Sequence, residues 1–235
     1  MADRYFLPLF PEGDLCELAG AEFHHLAHVM RGSPGGRLIV FDGQGTEADA
    51  EIVGLSKASA SLRLAARRRE SPQTRPDVVL ATAVPKADRF RWLVEKATEL
   101  GVDRLIPLQT AHSIVVPGAV KLEKMRQAVI EACKQSGRNR LMQVEPLTFW
   151  SEFLTAVVPS ACTFVADPAG LPLANVLKSP PKNKSLLLVI GPEGGLTETE
   201  LGEATAAGAH TVALGPHILR IETAALALAA VFILR

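Results

Sequence analysis

The stretch VVLATAV, residues 78–84, carries no charged side chain on either of its alternating sides. Successive side chains of a strand point to opposite faces of a sheet, so a strand of this composition must be covered on both. It runs directly into KADRFRWLVEKATELG, where Phe90, Leu93, Val94, Ala97 and Leu100 recur at helical spacing and Gly101 stands where a C-cap belongs. RLIPLQT reads as the next strand. KLEKMRQAVIEACKQSG is a second amphipathic helix, with Leu122, Met125, Val129 and Ala132 as its stripe and Gly137 at its end. TFVAD, LLLVI and TVAL are three further short apolar strands. This alternation predicts an α/β domain with a largely parallel sheet.

The first 70 residues follow a different pattern. RLIVFDGQGTEADAEIVGL reads as strand, Asp42-Gly43 turn, strand, the turn suiting the positive φ of a tight hairpin. SASLRLAARRR adds an alternating strand. AEFHHLAHVMR predicts one helix, with Phe23, Leu26, Ala27 and Met30 facing inward. RRRESPQTRPD, polar with two prolines, reads as a linker and divides the chain into domains at 1–71 and 76–235. No internal repeat or low-complexity tract is evident.

With 235 residues, 48% of them hydrophobic, the chain can bury a sizeable core. Lys plus Arg and Asp plus Glu both number 25, so only local charge can point to nucleic acid. Cys16, Cys133 and Cys162 are far apart and form no CxxC, which argues against a disulfide framework or a zinc ribbon and predicts a reducing compartment. The N-terminus does not read as a leader, and no stretch has the length of a membrane span. A cytoplasmic location is the expectation. Of His24, His25 and His28, the pair His24 and His28 is one turn apart and invites a metal, but no Cys or acidic third ligand is evident, and a packed or nucleic-acid-facing helix is the expectation instead.

Two strands leave their sheet through Gly-Pro. LLLVI runs into Gly191-Pro192-Glu193-Gly194-Gly195, and then Thr197 and Glu200 form a capping box with Leu196 and Leu201 at the staple positions. VAL runs into Leu214-Gly215-Pro216-His217. Bare glycine backbone lets main-chain groups approach a ligand, and ligands of open α/β sheets bind outside the carboxyl ends of strands. The alternative is that each loop merely turns the chain. Neither GxGxxG nor GxxxxGK[ST] is present, so dinucleotide and P-loop chemistry are not indicated. Arg220, Glu222 and Thr223 precede the apolar run AALALAAVFIL, a buried helix whose charged mouth needs partners. An internal Arg220–Glu222 pair and a substrate-facing Arg220 both remain open.

IGPEGGLTETEL followed by LGPHILRIETAAL resembles the C-terminal signature of the 16S ribosomal RNA (uracil-N3)-methyltransferases of the SPOUT class. RYF, HHLAHVMR, FDGQG, PKADRFRWLVEKATELGVDRLIPLQTAHS and EACKQSGRNRLMQVEPL resemble that family's blocks, in its order, over nearly the whole chain. The resemblance implies a smaller N-terminal PUA-like RNA-binding β-barrel and a knotted SPOUT-type α/β methyltransferase domain with a trefoil knot. It implies S-adenosylmethionine as cofactor, gripped largely by main chain at Ile190, Gly191, Pro192, Glu193, Gly194, Gly195, Leu214, Gly215, Ile218, Leu219, Arg220, Thr223 and Ala224, with the loop after FVADPAG closing the pocket. His217 stands where many members carry arginine and Ile221 where a small or polar residue is common, so no permanent cation is expected at position 217. The implied partners are 16S rRNA of the small ribosomal subunit and a second copy of the chain, with neither DNA nor a membrane.

Uracil N3 carries a proton and is a poor nucleophile until that proton leaves. Glu193 is the candidate base, although a loop carboxylate capping nearby N–H groups is an equal account of it. Arg138 and Arg220 are the candidate cations for the uracil oxyanion. Arg4, Arg31, Lys86, Arg89, Arg138, Asn139 and Arg140 are candidate RNA contacts, and RNA binding is expected to weaken with salt. Two other functions fit the pattern: a SPOUT enzyme acting on another rRNA or tRNA base, and a non-catalytic RNA-binding or ribosome-assembly protein. Trp92 is expected in the core or at a dimer interface.

Overall fold

A computed structural model describes residues 3–176 and 185–234. Two compact units emerge: Met1–Pro72 together with Ile130–Leu141, and Gln73–Val129 together with Met142–Arg235.

The first unit contains β1 (Arg4–Phe6), β2 (Leu15–Ala19), α1 (Gly20–His24), β3 (Arg37–Phe41), β4 (Thr46–Leu55) and β5 (Ser59–Arg69). Their order is β1-β3-β4-β5-β2, parallel only between β1 and β3. Alternate residues of the two long strands, Ala48, Ala50 and Ile52 on β4 and Ala60, Leu62 and Leu64 on β5, turn inward. They share one core with Tyr5, Leu18, Leu38 and Val40, so all five strands enclose it in a barrel-like arrangement. α1 continues into a π-type turn at His25–Val29, closed by the bond from Met30 N–H to the His25 carbonyl at 3.0 Å. The helix expected over AEFHHLAHVMR is thus present but changes winding. Phe23 and Leu26 are buried as expected; Met30 is exposed, because the wider turn rotates it off the inner face. The Asp42-Gly43 hairpin is not a two-residue turn. Residues 42–45 form the connection, with Gly43 at φ 73° and Gly45 at φ 101°. The Asp42 carboxylate accepts from Gln44 N–H at 2.7 Å and Thr46 N–H at 2.9 Å.

The second unit is built on β6 (Val78–Ala83), α2 (Arg89–Leu100), β7 (Arg104–Gln109), α3 (Ala119–Ser136), β8 (Gln143–Val144), β9 (Thr148–Phe149) and α4 (Trp150–Ala156). It continues with β10 (Ala161–Pro172), α5 (Leu173–Val176), β11 (Ser185–Ile190), α6 (Glu198–Ala206), β12 (His210–Ala213) and α7 (Ile221–Ile233). α3 crosses the division, its last turns clustering with the first unit. The sheet is parallel throughout, in the order β12-β10-β11-β6-β7-β8, with β9 also on β7. Every residue of β6 is buried, as its composition requires. Phe90, Leu93, Val94 and Ala97 of α2 are buried, and Gly101 ends the helix at φ 100°. β10 makes an excursion at residues 167–170: Ala166 and Leu171 both pair with Val212 of β12. The residues on either side of the excursion therefore meet the same point of one strand.

Candidate active site at the carboxyl ends of parallel strands

β10, β11 and β12 lie side by side and point the same way, so the loops that follow them open on one edge of the sheet. There they enclose a cleft of about 280 Å³. Ala166, Asp167 and Pro168 come from the β10 excursion, Ile190 to Leu196 from the β11 exit, and Leu214, Gly215, His217, Ile218 and Leu219 from the β12 exit. Val212, Ile221 and Ala224 complete the lining. Of the residues singled out in the sequence, Ile190, Gly191, Pro192, Glu193, Gly194, Gly195, Leu214, Gly215, Ile218, Leu219 and Ala224 are thus brought together. Arg220 and Thr223 are absent from the lining. Arg220 is the N-cap residue of α7, with its side chain exposed. Val212 and Leu196 were not anticipated, since their strand and staple roles gave no sign of a second use.

The Gly-Pro-Glu-Gly-Gly loop is fixed from behind. Thr197 caps α6, its hydroxyl accepting from Glu200 N–H at 3.1 Å, while the Glu200 carboxylate accepts from Thr197 N–H at 2.8 Å. Glu200 is buried, and its other oxygen accepts from Ala111 N–H at 2.8 Å. Each glycine has its own reason. A Cβ on Gly191 would lie 3.1 Å from the Leu196 side chain, and one on Gly194 would lie 3.3 Å from His112. Gly195 and Gly215 sit at φ 73° and 150°, and a Cβ there would meet nothing within 4 Å. Packing sets two of these positions and backbone shape the other two.

Charge gathers on one side of the cleft. Arg89, at the start of α2, stands between two carboxylates: 3.9 Å from Glu193 and 3.7 Å from Glu222. Glu222 is buried in the first turn of α7, and its second oxygen has no hydrogen-bond partner among the described residues. The charged mouth of α7 is therefore answered by Arg89 rather than by Arg220. Arg89, expected as an RNA contact, is 37% exposed and has a carboxylate partner on each side.

The remaining candidates lie elsewhere. Lys86 is exposed in the loop after β6. In the first unit, Arg31 is exposed at φ 54°. Arg4 is 7% exposed, pairs with Glu47 at 2.8 Å and donates to the buried Asn139. Asn139 also gives its N–H to Glu70 at 3.2 Å and its carbonyl to Gly45 N–H at 3.0 Å. Arg140 packs beneath Gly45 and lies 3.3 Å from Glu70. Arg4 and Asn139 accordingly shape this edge from inside, the two terminal nitrogens of Arg4 bonding to Glu47 and Asn139. Arg138 is half-buried beside them. Among the described residues no cluster of His, Cys, Asp and Glu could hold a metal ion, and no helix is long and apolar enough to cross a membrane.

Residues 72–233 match the family described as RNA methyltransferase domain, and residues 18–65 match RNA methyltransferase PUA domain. The chain is 34% identical to a Bacillus subtilis protein named ribosomal RNA small subunit methyltransferase E, over 95% of this chain and 93% of that one. It is 31% identical to a Mycobacterium bovis protein of the same name, over 100% and 92%. The structure of a ribosomal RNA small subunit methyltransferase E from Neisseria gonorrhoeae, bound to S-adenosyl methionine, superposes with a TM-score of 0.89 at 29% identity. It covers 98% of this chain and 96% of that one. This chain belongs to the same RNA methyltransferase family as those proteins.

Proposed function

We propose that this protein methylates N3 of a uridine in 16S rRNA of the small ribosomal subunit, with S-adenosylmethionine as the donor. The observation that carries the reading is the cleft formed by the β10, β11 and β12 exits, whose lining is mostly glycine backbone and apolar side chains. Its volume of about 280 Å³ is near the lower end of ligand pockets, which run from ~300 to 1,000 Å³. That suits a nucleoside-sized ligand. Such a lining reads a purine edge through main-chain N–H and C=O groups and covers its faces with Val212, Ile218, Leu219 and Ile221. Asp167 and Glu193 offer carboxylates to hydroxyl or ammonium donors. S-adenosylmethionine supplies an electrophilic methyl group on a sulfonium.

The protein's part is alignment and charge. Glu193 lies at the cleft, is 40% exposed and is the candidate to accept the uracil N3 proton; Arg89, 3.9 Å away, is the cation that would orient it. Arg220 follows the cleft-lining Leu219 and is the candidate for stabilising the uracil oxygens as N3 loses its proton. Arg138, with Arg31 and Arg140, is assigned to RNA from the first unit, and Lys86 from the second. A homodimer is part of the same reading, with Trp92 of α2, 46% exposed, as a candidate contact. The trefoil knot belongs to the same reading and rests on the family resemblance.

The test is methyl transfer from labelled S-adenosylmethionine to small-subunit RNA from cells lacking the gene, with digestion to nucleosides. N3-methyluridine is the expected product. Label on another base would move the specificity, and no label on any RNA would end the enzyme reading. Arg220→Ala is expected to lower kcat by about 100-fold, the scale of one lost oxyanion donor, with donor affinity unchanged.

A further inference from the structure

The turn after β7 reaches across to the cleft loop. It is a tight turn: Thr110 N–H donates to the Ser113 hydroxyl at 2.9 Å, and Ser113 N–H donates to the Thr110 carbonyl at 3.1 Å. Within it, Ala111 N–H is held by the buried Glu200 carboxylate at 2.8 Å. The next residue, His112, places its Nδ1 3.2 Å from the Gly194 carbonyl and 3.1 Å from the Gly195 carbonyl. Carbonyl oxygens only accept, so Nδ1 carries the hydrogen and shares it between them. The side chain also packs on Gly194, where a Cβ would lie 3.3 Å from the His112 Cβ and 3.5 Å from its ring.

We infer that His112 is a positioning residue for the donor cleft: it fixes the Gly194 and Gly195 carbonyls, and so the orientation of the peptide groups that face the ligand. The inference rests on the reading of this cleft as the S-adenosylmethionine site. Glycines without side-chain anchors hold many backbone conformations, and a ligand read by main chain pays for whichever of these must be lost on binding. His112 removes that freedom beforehand from a segment with no side chains of its own. Glu200 fixes the base of the turn, so His112 acts from a rigid mount.

The experiment is calorimetric titration of wild type, His112→Ala and His112→Asn with S-adenosylmethionine, alongside thermal melts and RNA binding. An asparagine amide places a donor close to the position of Nδ1. His112→Ala is expected to weaken S-adenosylmethionine binding about fivefold to tenfold, as for one lost hydrogen bond, with RNA affinity unchanged. His112→Asn should restore affinity to within about twofold, showing that the donor matters and the ring does not. Unchanged affinity in His112→Ala, or equal loss in both variants, overturns the inference and leaves the function standing. No uptake by wild type overturns the function itself.

Discussion

Tyr5 is the only tyrosine in the chain, so its ionisation can be followed without interference. It is fully buried, its hydroxyl has no partner among the described residues, and the Lys134 ammonium lies 5.5 Å from its ring centre. Burial, then the carboxylates of Asp3 and Glu22, push its pKa up from 10.0 to about 12. The folded state thus favours the protonated phenol. That contribution to stability is complete below 10.0 and is lost as pH rises from there towards about 12. Ultraviolet titration should show no phenolate at pH 10.0 and a midpoint about two units higher; a midpoint at the ordinary value would mean an exposed ring. Glu47 illustrates the opposite sign: burial raises its pKa, but hydrogen bonds from Arg4, Arg68 and Asn139 outweigh this and lower it. At this scale sequence reading was uneven. The apolar stripe of α2 was legible because a 3.6 period leaves few alternatives. Arg4 was not, because nothing local says that Glu47 and Asn139, far along the chain, will enclose a cation. His112 lay inside a recognised block but had no local pattern to mark it, since its partners are carbonyls 82 and 83 residues away.

Among the elements, the β10 excursion is the most tightly constrained. A Cβ on Gly170 would lie 2.6 Å from Val212 N and 2.7 Å from the Thr211 carbonyl carbon, and both are backbone atoms within the β12 ladder. No rotamer can relieve such a contact. Gly170→Ala should therefore cost ~3 kcal/mol or more, at or above the upper end of overpacking costs, read as a lower urea midpoint. Gly202, inside α6 with open space around it, is the control. Gly202→Ala should stabilise by ~0.5–1 kcal/mol through helix propensity. The capping box of α6, the end of α2 at Gly101 and the all-buried β6 were legible because each signal is complete within a few residues. β8 and β9 were missed: two residues each, they are too short to show a period and exist because β7 offers them an edge. α4 was missed as well, although Trp150 and Phe153 anchor it in the core.

At the scale of the whole molecule, the decisive fact is that the first unit is discontinuous. Residues 130–141 supply Lys134 to Glu22 at 3.2 Å and Asn139 to Arg4, and Leu141 N–H bonds to the Gly43 carbonyl at 3.0 Å. Without them, Arg4 and Glu22 each lose a partner in a largely buried setting. The isolated fragment 1–72 should accordingly lack a cooperative thermal transition by circular dichroism, and a fragment that melts as sharply as the full chain would refute this. A linker signature in sequence marks where a chain is extended; it cannot show that a later segment returns, because that depends on contacts distant along the chain. The same return has a bearing on biosynthesis. A nascent chain emerges at roughly 5–20 residues per second, so between the emergence of Pro72 and that of Leu141 several seconds pass. Throughout that interval the amino-terminal sheet waits without its final reinforcement, a period in which chaperones have most to offer it.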